Sequence, residues 1–161
     1  MTEIHRIGLI SDTHGQLRAS VHSALAGVEL ILHAGDVGGD EILDELALIA
    51  PVLAVRGNTD APSDGRLEEF IERTIGGVRI HVSHGHEVGA PAPATLLERY
   101  SADVIVYGHT HRQLVTRAAG GRLVVNPGAA GARRFKLGPS VGRLSIYEGR
   151  VDVELIGLDD P

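Results

Sequence analysis

Arg6-Ile7-Gly8-Leu9-Ile10-Ser11-Asp12-Thr13-His14-Gly15 is an apolar run of strand length that stops abruptly on a carboxylate, a hydroxyl and an imidazole. A run with almost no polar alternation suits a strand buried on both faces of a parallel sheet. The same design recurs twice. Glu29-Leu30-Ile31-Leu32 closes on His33-Ala34-Gly35-Asp36, and Val52-Leu53-Ala54-Val55 closes on Arg56-Gly57-Asn58-Thr59-Asp60. Between these runs, Leu17 to Gly27 predicts a helix with Leu17, Val21, Ala24 and Leu25 on one face and Gly27 as its stop. Glu41 to Ala50 predicts a second, striped by Ile42, Leu46 and Ile49. Strands alternating with helices predict βαβ units, whose sites form outside the carboxyl ends of the strands.

Downstream the pattern turns to hairpins. Phe70 to Ile75 and Val78 to Val82 flank Gly76-Gly77, Leu114 to Arg117 and Leu123 to Val125 flank Gly120-Gly121, and Arg143 to Tyr147 and Val151 to Ile156 flank Glu148-Gly149. The first hairpin runs into Ser83-His84-Gly85-His86, and the second into Asn126-Pro127-Gly128, a turn by its residues. Pro91 and Pro93 precede a short helix over Ala94 to Tyr100, and Val104-Ile105-Val106 leads into Tyr107-Gly108-His109-Thr110-His111. Residues i and i+2 of an extended chain point to one side, so His109 and His111 are expected to address one spot. Three strand-and-helix units followed by three hairpins predict an α/β fold: two β-sheets packed face to face, helices outside, as a single domain over residues 1–161.

The chain has 161 residues, 43% of them hydrophobic, enough for a sizeable core. No apolar run approaches the ~20 residues of a membrane span, and no signal-peptide core precedes the first strand. Cysteine is absent, which excludes disulfides and thiolate metal sites. These features together predict a cytoplasmic protein. A net charge of −6 and 3% aromatic residues argue against a basic or base-stacking surface for nucleic acid.

Five strand ends supply Asp12, His14, Asp36, Asn58, His84, His109 and His111, all oxygen or nitrogen donors. A single structural zinc takes four ligands, usually with cysteine among them. Seven donors instead suit two divalent ions that share a carboxylate, with Asp36 as the bridge. Two ions ~3.5–4 Å apart clamp the attacking and leaving oxygens of an in-line displacement and make hydroxide available near neutral pH. With two aspartates and one hydroxide the centre carries a formal charge of about +1, attractive to a phosphoester despite the acidic surface. A helix beginning after Gly15 would add backbone N–H donors near the phosphate. The donor set suits Mn²⁺ first, with Fe²⁺, Ni²⁺ or Zn²⁺ also accommodated.

Other polar residues read more plainly. His5, His22, His33 and His81 are taken as ordinary hydrogen-bonded residues without a role. His86 divides between a contact to a ligand residue or a phosphate and a plain loop residue, and Asp60 between capping the segment after it, the first expectation, and orienting a site group. Arg133, Arg134 and Lys136 form a basic loop that solvent or a substrate would meet.

The ordered series Asp12-x-His14, Gly35-Asp36, Gly57-Asn58, His84-Gly85 and Gly108-His109-x-His111 resembles the calcineurin-like metallophosphoesterases, and looks closest to their small prokaryotic phosphodiesterase branch. The resemblance runs from Ile7 to about Gly128. It implies a four-layer sandwich fold and two metals, one held by Asp12, His14, Asp36 and His111, the other by Asp36, Asn58, His84 and His109. It also implies hydrolysis of small phosphodiesters. In the larger family a histidine that serves as general acid or phosphate donor usually follows the Gly-Asn pair; Thr59 stands here instead. Asn58, Thr59 and His86 are therefore the candidate catalytic residues. The alternative is a non-enzymatic binding module, as in the retromer's metallophosphoesterase-like subunit, but such members tend to lose ligands and this chain has all seven. Nucleases of the family usually carry additional domains, for which 161 residues leave no room. A small phosphodiester is the expected partner, with no stable nucleic-acid complex and no membrane; a homo-oligomer stays open.

Overall fold

The computed structural model describes residues 3–131 and 137–158; Arg133, Arg134 and Lys136, read above as a basic loop, lie outside them. The elements follow in the order β1 (His5–Ile10), α1 (Ser20–Ala24), β2 (Leu30–His33), α2 (Asp40–Leu46), β3 (Val52–Ala54), β4 (Ile71–Ile75), β5 (Val78–Val82), α3 (Pro93–Arg99), β6 (Val104–Val106), β7 (Leu114–Arg117), β8 (Leu123–Asn126), β9 (Ser140–Tyr147) and β10 (Arg150–Gly157). They build two five-stranded sheets, ordered β10-β9-β1-β2-β3 and β4-β5-β6-β8-β7. Strands β1 and β6 sit at the centres.

Alternation along the strands sorts side chains into layers. Ile7, Leu9, Leu32, Leu144 and Ile146 of the first sheet meet Ile80, Val82, Val104, Val106 and Val125 of the second. On the outer face of the first sheet, Ile10, Ile31 and Ala54 pack against Val21 of α1, Leu25 just after it, and Ile42 and Leu46 of α2. On the far side, Ile105 and Val124 pack against Leu96 of α3. The result is the expected four-layer α/β sandwich. Each fully buried Val, Leu or Ile contributes about 1.5–3 kcal/mol relative to exposure, so the strand ends project from a stiff frame. Among the described residues no helix is long and apolar enough to cross a membrane.

Two expectations need correction, and one point left open is settled. The helices are short: α1 starts only at Ser20, because the preceding segment is tied down by Arg18, whose Nε donates to the Gly131 carbonyl at 3.1 Å. No helix therefore begins after Gly15, and no helix N-terminus serves the site there. Helix α2 ends at Leu46 and tightens into i→i−3 bonds, Leu48 N–H to Glu45 O and Ile49 N–H to Leu46 O. The third hairpin, which the sequence reading assigned to neither sheet, joins the first. Its strand β9 pairs antiparallel with β1, Ile7 opposite Leu144.

Candidate metal centre

Strands β1, β2 and β3 run parallel, as do β5 and β6, and all deliver their carboxyl ends to one edge of the sandwich. Backbone bonds stitch these ends together. Asp12 N–H donates to Gly35 O and His14 N–H to Asp36 O, both at 3.0 Å, while Gly108 N–H donates to His84 O at 2.9 Å. The chain turns sharply at the functional residues themselves. Asp12, His14, Asp36, His109 and His111 have φ of 54°, 47°, 55°, 69° and 63°. Glu148, in a hairpin turn, is the remaining non-glycine residue of this kind among those described. Left-handed backbone outside glycine is costly and gathers at functional sites.

The Gly-Asp, Gly-Asn and Gly-His pairs have a steric reason. A methyl group on Gly57 would overlap the Asp36 carboxylate, and one on Gly108 would overlap Ser11 Oγ and Asp12 Oδ2. Glycine at these positions lets one strand end lie directly against the functional group of another.

The seven side chains form two adjoining groups. His111 Nε2 lies 3.3 Å and His14 Nε2 3.7 Å from Asp12 Oδ1. Beside them, Asn58 Oδ1 lies 3.0 Å from His84 Nε2 and 3.1 Å from His109 Nδ1. Asp36 Oδ2 sits between the groups, 3.6 Å from His14 Nε2 and 3.3 Å from His84 Nε2. His109 and His111 thus face opposite groups instead of one spot. Their left-handed backbones, tightened by Thr110 N–H donating to Gly108 O at 2.8 Å, override the alternation of an extended strand.

Neighbours orient these groups. His84 Nδ1–H donates to Ala34 O at 2.8 Å, which leaves Nε2 facing the oxygens of Asp36 and Asn58. Asp12 Oδ2 accepts from Ser11 Oγ at 2.6 Å and His109 N–H at 3.1 Å, and Asp36 Oδ1 accepts from Thr59 N–H at 2.9 Å. One oxygen of each carboxylate is held in place and the other is turned inward.

Burial and mutual charge set the ionisation of the cluster. Burial opposes ionisation of Asp12, but the imidazoles of His111, His14 and His84 outweigh it and hold the carboxyl well below the ordinary range. Burial likewise opposes ionisation of Asp36, yet His84 and the Thr59 N–H bring it down to about 2. Burial disfavours the His84 cation, but Asp36 and Asp12 raise its pKa nonetheless. Asp12 Oδ1 and His14 Nε2 are buried and satisfied by no hydrogen bond. Ligand atoms of Asp12, His14 and His111, and of Asp12, Asp36 and His84, lie within 4.8 Å of one another. Converging lone pairs, paired carboxylates and unsatisfied inward atoms fit divalent cations.

Of the remaining candidates, Thr59 reaches Asp36 through its backbone. His86 is partly exposed, its ring 5.3 Å from that of His84 and 6.2 Å from that of His109. Asp60 does not cap the segment after it. Its carboxylate accepts from Val37 N–H at 3.0 Å and Gly57 N–H at 2.9 Å, tying the Asp36 loop to the Asn58 loop.

His33 has more to do than its sequence context suggested. It is fully buried, and burial lowers its pKa to about 4, so the ring is neutral. Nδ1 accepts from Gly35 N–H at 3.1 Å, so Nε2 carries the proton and donates to Thr13 Oγ1 at 3.0 Å. The imidazole thereby braces the Asp12–His14 loop against the Gly35–Asp36 loop. The one sequence signal was a polar residue ending a strand otherwise buried throughout. His33→Leu is close in volume and removes both bonds; affinity for Mn²⁺ as a probe is expected to fall about 10–100-fold, with the circular dichroism spectrum unchanged. Calorimetric titration with Mn²⁺ measures this, and unaltered affinity would remove His33 from the site's support.

The whole chain is also similar to known proteins. A family model, the calcineurin-like phosphoesterase superfamily domain, matches residues 6–149. A probable metallophosphoesterase of Methanothermobacter thermautotrophicus is 37% identical over 96% of this chain and 94% of its own length. Among solved structures, vacuolar protein sorting 29 of Cryptosporidium parvum superposes with a TM-score of 0.79 at 23% identity, covering 98% of this chain and 99% of that one. An archaeal phosphodiesterase superposes with a TM-score of 0.73, also at 23% identity, covering 94% and 99%.

Proposed function

Because the chain belongs to the calcineurin-like phosphoesterase superfamily, hydrolases that act on phosphoester bonds with divalent metals, we propose that it is a dinuclear phosphodiesterase for small diesters, working as one domain. The observation that carries this reading is the placement of Asp36 Oδ2 between His14 Nε2 and His84 Nε2. Asp12, His14 and His111 would complete one metal position; Asn58, His84 and His109 would complete the other. When bound, the two ions supply Lewis acidity, acidifying water at neutral pH and neutralising charge on the phosphoryl group.

The chain's own part is positional. Asp12 and Asp36 are locked by Ser11, His109 N–H and Thr59 N–H, so the inward oxygens are fixed before substrate arrives. His86, exposed beside His84 and His109, lies where a phosphoryl oxygen would meet it. A binding-module role is the other use of this fold, given the likeness to vacuolar protein sorting 29. The assembled seven-residue set favours the enzyme.

Thr59 points to diesters. A leaving alkoxide gains ~10²–10⁴-fold from a positioned general acid, and a threonine hydroxyl has too high a pKa to serve. A diester monoanion with a good leaving group needs that help least. The kcat/KM for bis-p-nitrophenyl phosphate is expected to exceed that for p-nitrophenyl phosphate at saturating Mn²⁺. A monoester preference would overturn the diester reading and make His86 the first suspect for the missing donor.

A further inference from the structure

Beside the metal centre, and joined to it through His86, lies a cleft of about 410 Å³. That is within the range of small-molecule sites. Its wall gathers Phe70, His81 and Tyr100 in a chain with two Phe and three Tyr. His81 stacks on Tyr100 with ring centroids 3.8 Å apart, and Phe70 lies parallel to His81 at 5.8 Å with half its surface exposed. An exposed phenyl ring on a site wall offers a face on which another planar group can stack.

The polar lining indicates which planar group. Arg56 and Arg99 are outnumbered by Glu69, Glu72 and Glu87, so a second anionic group would be repelled. His81 Nδ1 donates to Glu72 Oε1 at 3.1 Å, which leaves Nε2 as an acceptor; that atom is buried with no partner. Arg56 donates through Nη2 to Leu67 O, and its buried Nε–H has no partner. The arginines supply N–H donors and the glutamates acceptors along the same lining, matching the edge of a neutral heteroaromatic ring, which itself offers both.

We propose that this cleft is the subsite for a neutral planar heteroaromatic group, of the nucleobase kind, carried by the ester cleaved at the metal centre. The proposal rests on the phosphodiesterase reading for its chemistry but not for its binding. Phe70 supplies the stacking face, and His86 marks the passage from ring to phosphorus.

The test pairs two esters with one leaving group, thymidine 5′-(p-nitrophenyl phosphate) and methyl p-nitrophenyl phosphate. Stacking on an aromatic side chain is worth roughly tenfold in binding. The nucleoside ester should show the lower KM by about that factor; Phe70→Ala should abolish the difference and Phe70→Tyr should preserve it. Equal KM values in the parent protein, or a difference indifferent to Phe70→Ala, would overturn the proposal. Saturation-transfer NMR with thymidine and metal-free protein reads binding alone. Transfer to the thymine protons, lost in Phe70→Ala, supports the cleft even if neither ester is cleaved, in which case only the phosphodiesterase reading falls. Cleavage of both esters without such transfer sinks the cleft and leaves that reading standing.

Discussion

Asp36→Asn should fold, bind fewer than two Mn²⁺ per chain and lose roughly 10³-fold in kcat, the equivalent of several kcal/mol of metal-ion catalysis. The substitution is close to isosteric. Its amide oxygen can still accept from Thr59 N–H, and its amino group would face His14 Nε2 and His84 Nε2, where the native Oδ2 now lies. The apo site is therefore not disrupted, but a donor group replaces the shared ligand. The native pKa, lowered to about 2, adds a pH signature. A depressed carboxyl stabilises the folded state above its unfolded pKa, and that stabilisation disappears as pH falls through the native value. Metal-free Asp36→Asn should thus be modestly less stable than the parent at pH 7, the gap closing in acid. Metal analysis and steady-state kinetics decide the main claim: two ions bound at full activity would refute a shared Asp36.

Gly57→Ala is expected to lose roughly 10²-fold in kcat/KM, the scale that a misplacement of about 1 Å produces. The added methyl would meet Asp36 at its backbone nitrogen as well as at its carboxylate, so rotating the side chain away cannot relieve the clash. Overpacking of this kind costs about 1–3 kcal/mol, which a thermal melt should register. Gly65→Ala provides the comparison, since a methyl there meets nothing within 4 Å. If both variants behave alike, the close approach of Gly57 to Asp36 does not govern the site.

The strand ends could be read from sequence because burial on two faces leaves an unmistakable apolar run, and the polar residues begin where the sheet stops. Their collection at one edge follows from parallel strands. What could not be read is what happens between residues far apart in the chain. The bonds of Asp60 to Val37, and of His33 to Thr13, join loops whose proximity exists only after folding. The same holds for Arg18, whose tie to Gly131 displaced the start of α1. For β9, the choice of sheet was decided by a neighbour more than a hundred residues away, as the pairing of Ile7 with Leu144 shows. His109 and His111 were misread for a local reason: the i and i+2 rule holds for extended chain, and both residues leave it.

Those left-handed residues also bear on how such a domain can change its use. Each non-glycine residue held in this region costs of order 1–3 kcal/mol, and five of the seven proposed ligands are held there. The sheets and helices that form the core need none of them. Once selection for hydrolysis lapses, exchanging such a histidine or aspartate for glycine relaxes the backbone and makes the scaffold more stable. Loss of catalysis is then energetically downhill, and the sandwich that remains is free to be recruited as a rigid surface for other proteins.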